Sequence, residues 1–317
     1  LARARPGATI INLETSVTTS EDAEPKGINY RMHPGNVPVL MAAGIDCCVL
    51  ANNHVLDWGV AGLRDTLGAL TGPGIAVAGA GPDLVSASAP AILHLADDAR
   101  ILVFGFGTPD SGIPRTWRAR PGRPGVHLLP DFSKQTLDRL AELVWRWKQP
   151  GDVAVASVHW GSNWGYQIAE NHRRLAHGLV DRAGIDVVHG HSSHHPRAIE
   201  VYRDRPILYG CGELLDDYEG ISGYEEFRSD LVLLYFLTVE HGTGRLAGLT
   251  MTPFQIRNFR LVRPSPSDRD WLHRTMDREC KRFDGRVRIQ GDDLALEWAG
   301  ADLPQTVESA PQPGGTD

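Results

Sequence analysis

Cysteine is scarce: the 317 residues hold only Cys47, Cys48, Cys211 and Cys280. Two are adjacent and two scattered, which supplies neither a CxxC zinc spacing nor a disulfide framework, so a reducing, cytoplasmic compartment is the simplest reading. No apolar run reaches the roughly 18 to 20 residues of a membrane span. The opening "LARARPGATIINLE" lacks the basic, apolar and small-residue order of a signal peptide. Positive charge is in deficit, with 32 Lys and Arg against 39 Asp and Glu and a net charge of −7, so no general field favours nucleic acid or an anionic membrane. Any anionic ligand has to be held locally. "GAGPD" (79–83) has neither a following Lys-Ser/Thr nor GxGxxG spacing and reads as a turn, not a phosphate loop. There is no GxSxG elbow and no base close to Cys211, which disfavours serine and thiol hydrolases.

Apolar residues make up 42% of the chain, enough for one large core, and Val- and Ile-rich runs alternate with segments of helical period. That is the mark of an α/β fold of layered, mixed sheets flanked by helices. Strands are expected at Ala8 to Leu13, 47–52, 100–107, 152–160 and 185–190; helices at Val37 to Ala43, Val60 to Leu70, 132–148 and 170–184. Beyond these, "PILYGCGEL", "DLVLLYFLTVE" and "RLAGLTMTPFQI" read as successive strands of an antiparallel or mixed sheet. A late helix, Ser265 to Asp284, and a hairpin at "VRIQ" and "LALEW" close one domain over 1–300, followed by a polar, disordered tail over 301–317.

Residues of metal-ligand character fall at the C-terminal ends of these strands, where open α/β sheets assemble their sites. "INLET" brings Asn12 and Glu14, "LANNHVLDWG" brings Asn52, Asn53, His54 and Asp57, "SVHWG" brings His159, and "VVHGHSSHH" brings His191, His194 and His195. Carboxylate, amide and several imidazoles together suit a borderline divalent cation. Seven of the thirteen histidines lie between 159 and 195, a density that core packing does not explain.

Each residue also has a plainer reading. A lone histidine after a strand is usually a hydrogen-bonded structural residue, and His172 and His177, at i and i+5 on a helix, fall on different faces. Asn52 reads as turn chemistry. Asp57 either caps the helix near Val60 or orients His54. Glu213, Asp216, Asp217 and Glu219 read as a solvated acidic loop, with a role supporting the ligands as the alternative.

Taken in order, "NLET", "LANNHVLDWG", "HWGSNWGY", "AHGLVDRAGIDVVHGHSSHHPRAIEVY" and "ILYGCGELLDD" resemble the CapA family of poly-γ-glutamate capsule biosynthesis proteins, up to about residue 260. The resemblance implies a calcineurin-like metallophosphoesterase fold and two divalent ions, with manganese, zinc, iron and calcium left open. It implies Glu14 as bridging carboxylate, Asn53 as amide ligand, His159, His191 and His194 as imidazole ligands, and His54 as a nearby acid or charge stabiliser, with Asp57 beside it. His195 stands where the family has an apolar residue, and His189 is expected to support the ligands. The family's first strand ends in Gly-Asp, and none precedes "ATIINLE". The expectation is a chain shortened at its N-terminus by roughly 40 residues or more, which from residue 1 would bind metal weakly. "HWGSNWGY" also lacks the glutamate that many members carry after HWG, leaving a more neutral wall with Trp164.

The resulting expectation is a metal-dependent enzyme hydrolysing a phosphate ester or an acidic amide polymer such as poly-γ-glutamate. Arg31, Arg115 and Arg197 are candidate anion anchors with Trp164, and "SGIPRTW" (111–117) a substrate-covering loop. Two rivals remain: a metal-dependent peptide epimerase on the same fold, and a capsule-assembly factor that binds polymer without turnover.

Overall fold

The protein is described by a computed structural model covering residues 6–216 and 221–300. The expected tail and the acidic residues Asp217 and Glu219 lie outside the described residues.

Three sheets organise the chain. In the first, β1 (Ile10–Asn12), β2 (Cys47–Val49) and β3 (Ala76–Ala78) are parallel, with β2 central. The second has six strands in the order β8 (Ile199–Tyr202), β9 (Arg205–Leu208), β7 (Val187–His191), β6 (Val153–His159), β5 (Arg100–Gly107), β4 (Ala91–His94). Strands β5, β6, β7 and β9 run parallel, and the two edges, β4 and β8, are antiparallel to their neighbours. The third sheet is antiparallel: β10 (Leu231–Val239), β11 (Leu246–Arg257), β12 (Arg260–Val262) and the hairpin β13 (Arg286–Gln290) and β14 (Asp293–Glu297).

Helices α1 (Val37–Ala42), α2 (Gly59–Thr71), α3 (Leu84–Ser88), α4 (Lys134–Trp147), α5 (Glu170–Ala183) and α6 (Pro266–Cys280) complete the layers. Ser133 and Ser265 cap α4 and α6 through their hydroxyls, and Gly184 stops α5 in the left-handed conformation, as these residue types favour. The "GAGPD" turn does more than turn: Ala80–Gly81 pairs with Gly125–Val126, and Asp83 caps α3. No helix among the described residues is long and apolar enough to cross a membrane.

Period-two alternation decides which way each strand faces. Val103, Val155 and Val187 join the first sheet and α2 in one apolar cluster, while Leu102, Phe104, Ala154, Ala156 and Val188 join α4 and α5 in another. The third sheet packs on α6 and on Ile199 and Leu208. The order is helix, sheet, sheet, helix. The first two sheets meet closely enough that a Cβ on Gly105 would lie 2.8 Å from Val49 Cγ1 and 2.9 Å from Gly79 Cα.

The sequence expectations hold for the long elements. Strands β3, β4 and β8 were not anticipated, because three or four apolar residues carry no period. The late helix is shorter than expected: α6 stops at Cys280, and 281–283 form a 3-10 turn.

Candidate metal centre

The alternation that aims Val155 and Val187 at the first sheet also aims Ser157, His159, His189 and His191 there. From the opposite sheet come Glu14, two residues beyond β1, and Asn53, four beyond β2. Glu14, Asn53, His159 and His191 meet between the C-terminal ends of the two sheets. His159 Nε2 lies 3.0 Å from Asn53 Oδ1 and 3.9 Å from Glu14 Oε1, while His159 Nδ1 faces His191 Nδ1 at 2.9 Å. Asn12 Nδ2 donates to Glu14 Oε2 at 2.7 Å and fixes the carboxylate.

Burial sets the charge. His159 and His191 are 1% and 4% exposed. Desolvation holds the His191 imidazole well below its ordinary value, reinforced by His159 and His189, and lowers His159 against the opposing pull of Glu14. Both rings are therefore neutral, the form that ligates a metal. His189, pushed down to about 4 by burial, shares the Ser157 hydroxyl with His191: Ser157 Oγ is 2.9 Å from His189 Nδ1 and 3.0 Å from His191 Nε2.

The donor chemistry of one carboxylate, one amide oxygen and two neutral imidazoles fits a borderline divalent ion. Ligands about 2.1 Å from one ion stand about 3.0 to 3.4 Å apart; His159 and Asn53, at 3.0 Å, match that spacing, while Glu14, at 3.9 Å from His159, stands somewhat farther off. Among the described residues, however, no three His, Cys, Asp or Glu side chains are already set to hold an ion. The reason is visible at the two rings: with Nδ1 facing Nδ1, one has to turn before both can ligate together.

His194 stands beside this cluster and is occupied at both nitrogens. Nδ1 bonds the Glu213 carboxylate and Nε2 lies 3.0 Å from Asn163 Nδ2. Desolvation works against its charge, but Glu213, Glu14 and Asp216 outweigh it and raise its pKa. A carboxylate on the far nitrogen is how metal-binding histidines are usually oriented, so Nε2 is the atom left for an ion once Asn163 withdraws. Of the two readings of Glu213, the supporting one fits its bond to His194. His195 is committed to the backbone, accepting from Gly165 N at 3.1 Å and bonding Pro196 O. Between β7 and these residues Ser192 takes φ 113°, a conformation that costs a non-glycine residue energy and clusters at functional sites.

Asp57 orients His54 and does not cap α2, whose N-cap, Trp58, makes no side-chain cap bond. The fully buried carboxylate bonds His54 Nδ1 at 2.7 Å, Tyr30 N at 2.7 Å and Lys26 Nζ at 2.6 Å. Lys26 also donates to Asn53 O at 2.6 Å. Sequence reasoning missed Lys26, which lies in a stretch without pattern. Asn52 does hold the turn, donating to Asn12 Oδ1 and Leu13 O and accepting from His54 N.

Another missed residue, Asp110, braces the site through His172. Asp110 accepts from Thr108 Oγ1 and pairs with His172 Nε2 at 2.7 Å; His172 stacks on Trp160, next to His159. His172 was read as structural or solvated, and it is buried and structural.

Of the expected substrate contacts, Trp164 forms part of an aromatic wall, parallel to Tyr224 at 4.3 Å and stacked on His194 at 5.2 Å. Arg31 is exposed over Trp58, 4.3 Å from the ring. Arg115 is exposed on the 111–117 loop, where a Cβ on Gly112 would lie 3.7 Å from Asn53 Nδ2. Arg197 is not an exposed anchor. It is 3% exposed and donates to Ser162 O at 2.7 Å and Trp164 O at 3.3 Å, so it holds the loop that carries Trp164.

The chain is similar to known bacterial proteins. The family described as bacterial capsule synthesis protein PGA_cap matches residues 1–218. A probable polyglutamine synthesis accessory protein of Mycobacterium tuberculosis (strain H37Rv) is 49% identical over 287 residues, covering 90% of this chain and 75% of that protein. The PGA biosynthesis protein CapA of Bacillus subtilis (strain 168) is 30% identical over 274 residues, 86% of this chain and 67% of its own. The capsule biosynthesis protein CapA of Bacillus anthracis is 25% identical over 221 residues, 70% and 51% of the two chains. With the family matched over residues 1–218 and a relative 49% identical over 90% of this chain, the chain belongs to the PGA_cap family of bacterial capsule synthesis proteins.

Proposed function

We propose that the chain serves bacterial poly-glutamate or capsule synthesis, as its relatives are named, and does so as a metal-dependent hydrolase of a phosphate ester or an acidic amide polymer. The observation that carries this reading is the meeting of Glu14, Asn53, His159 and His191 between two facing sheets. A divalent ion bound there would polarise a water and the attacked centre.

The chain's own groups have separable tasks. Neutral His159 and His191 offer lone pairs, and Glu14 supplies the negative charge. Asp57 fixes the His54 ring through Nδ1, so Nε2, which makes no hydrogen bond among the described residues, is the atom that holds or delivers a proton. Trp164 and Tyr224 present a flat, weakly polar wall to the substrate backbone.

The same His54 and Asp57 pair supports a second reading, peptide epimerisation, in which His54 exchanges a Cα proton. One experiment separates the readings. Wild type and His191→Ala are incubated in heavy water with bis(4-nitrophenyl) phosphate or a γ-glutamyl oligomer, with and without EDTA. Cleavage that EDTA and the variant both abolish is expected. Deuterium uptake without cleavage would favour epimerisation, and polymer binding indifferent to EDTA and to the variant, without turnover, would leave a binding factor.

A further inference from the structure

The segment "RTWRARPGR" carries Arg115, Arg118, Arg120 and Arg123 within nine residues of a chain whose net charge is −7. Among the described residues none of the four forms an ion pair. They are held on one surface segment. Arg120 and Arg123 exchange backbone hydrogen bonds across a turn at Gly122, and the Arg123 guanidinium folds back onto Thr116 O, beside Arg115. Burial first, and then the charges of Arg115 and Arg120, lower the Arg118 pKa, with only Asp131 opposing. Like charges that outnumber the acids near them repel one another, and an occupying anion relieves that cost.

The strip also leads to the candidate metal centre. Gly112 of its covering loop lies near Asn53, where a Cβ would come within 3.7 Å of Asn53 Nδ2, and buried Trp117 lies 5.3 Å below Lys26 Nζ, which in turn bonds Asn53 O. A cavity of about 200 Å³ opens between Arg123 and Trp117 on one side and Leu56, in the His54 to Asp57 turn, on the other; Glu24 is the acidic residue on its wall.

We propose that Arg115, Arg120 and Arg123, beside half-buried Arg118, whose guanidinium donates to Leu129 O at 2.9 Å, form a track for a polycarboxylate chain, which they pass across the covering loop toward Asn53 and His54. This rests on the proposed hydrolytic reading for where the chain is delivered, but the track itself does not need turnover. Spaced guanidiniums match repeated carboxylates better than one small anion. Nucleic acid fits less well: four cations are few for phosphate-backbone binding, and Trp117, at 5% exposure, offers no face on which a base can stack.

The test is binding of fluorescein-labelled poly-glutamate to the full chain at several chloride concentrations. The variants are Arg115→Glu/Arg120→Glu/Arg123→Glu, the lysine triple at the same positions, and a control triple of exposed arginines elsewhere, Arg146→Glu/Arg257→Glu/Arg274→Glu. The first variant should bind at least about tenfold more weakly, with a flatter salt dependence, while the lysine and control triples stay near wild type. Wild-type affinity in the first triple, equal loss in the control, or tighter binding of a single-stranded oligoribonucleotide would each overturn the track. His191→Ala keeps the two claims apart: unchanged polymer affinity with turnover lost supports both, and turnover that survives it sinks the metal reading alone.

Discussion

His159 Nδ1 faces His191 Nδ1 at 2.9 Å, and the two residues are register partners at the ends of parallel β6 and β7. Two neutral imidazoles can share one proton at that distance, or they can turn and share an ion. The first prediction follows. His159→Ala and His191→Ala should each lower metal-dependent turnover by at least about 100-fold and weaken Mn²⁺ binding measured by calorimetry. Unchanged affinity in both variants would remove these rings from the site.

Asp57 is buried with three donors on its carboxylate, so Asp57→Ala strips partners from His54, Lys26 and the Tyr30 amide at once. A destabilisation of about 2 to 4 kcal/mol is expected in urea unfolding. Had Asp57 been only a helix cap, the loss would be about 1 kcal/mol.

Gly105 lies where the first two sheets approach most closely, and Gly105→Ala should cost about 1 to 3 kcal/mol, because its Cβ meets Val49 and the Gly79 backbone. Thermal melting that is unmoved would mean that the sheets can part there without penalty.

His127 is pushed down to about 4 by burial, with Arg118 adding to the shift. A histidine whose pKa is depressed on folding binds its proton more readily when unfolded. Its contribution is therefore intact above the unfolded value of about 6.5 and is lost as pH falls from there toward about 4. The urea midpoint should decline across that window, and His127→Gln should shallow the decline. An identical slope in the variant would assign the acid sensitivity to other groups.

Much of the fold was legible because its long strands and helices have clear periods: β5 spans the eight residues expected, and α4, α5 and α2 fall within one or two residues of their expected ends. The ends of β1, β2, β6 and β7 also told where polar residues would gather, since parallel strands carry their loops to one edge. What stayed hidden was long-range pairing. Nothing near Lys26 signals that it closes on Asp57, 31 residues away, and nothing near Asp110 points to His172, 62 residues away. Arg197 was misjudged for a related reason. A guanidinium suits a carboxylate or phosphate wherever it falls in a sequence, and only the packing of the Ser162 to Trp164 loop shows this one turned inward.

The central claim is that Glu14, Asn53, His159 and His191 together bind a catalytic divalent ion. The most direct measurement is calorimetric titration of Mn²⁺ and Zn²⁺ into chelator-treated protein, repeated with Glu14→Gln and His159→Ala and paired with turnover on the same samples. The account predicts saturable binding in the wild type, weakening of at least about tenfold in each variant, and turnover that returns only as the site fills. Turnover that persists after chelation, or metal binding equal in all three proteins, would contradict it.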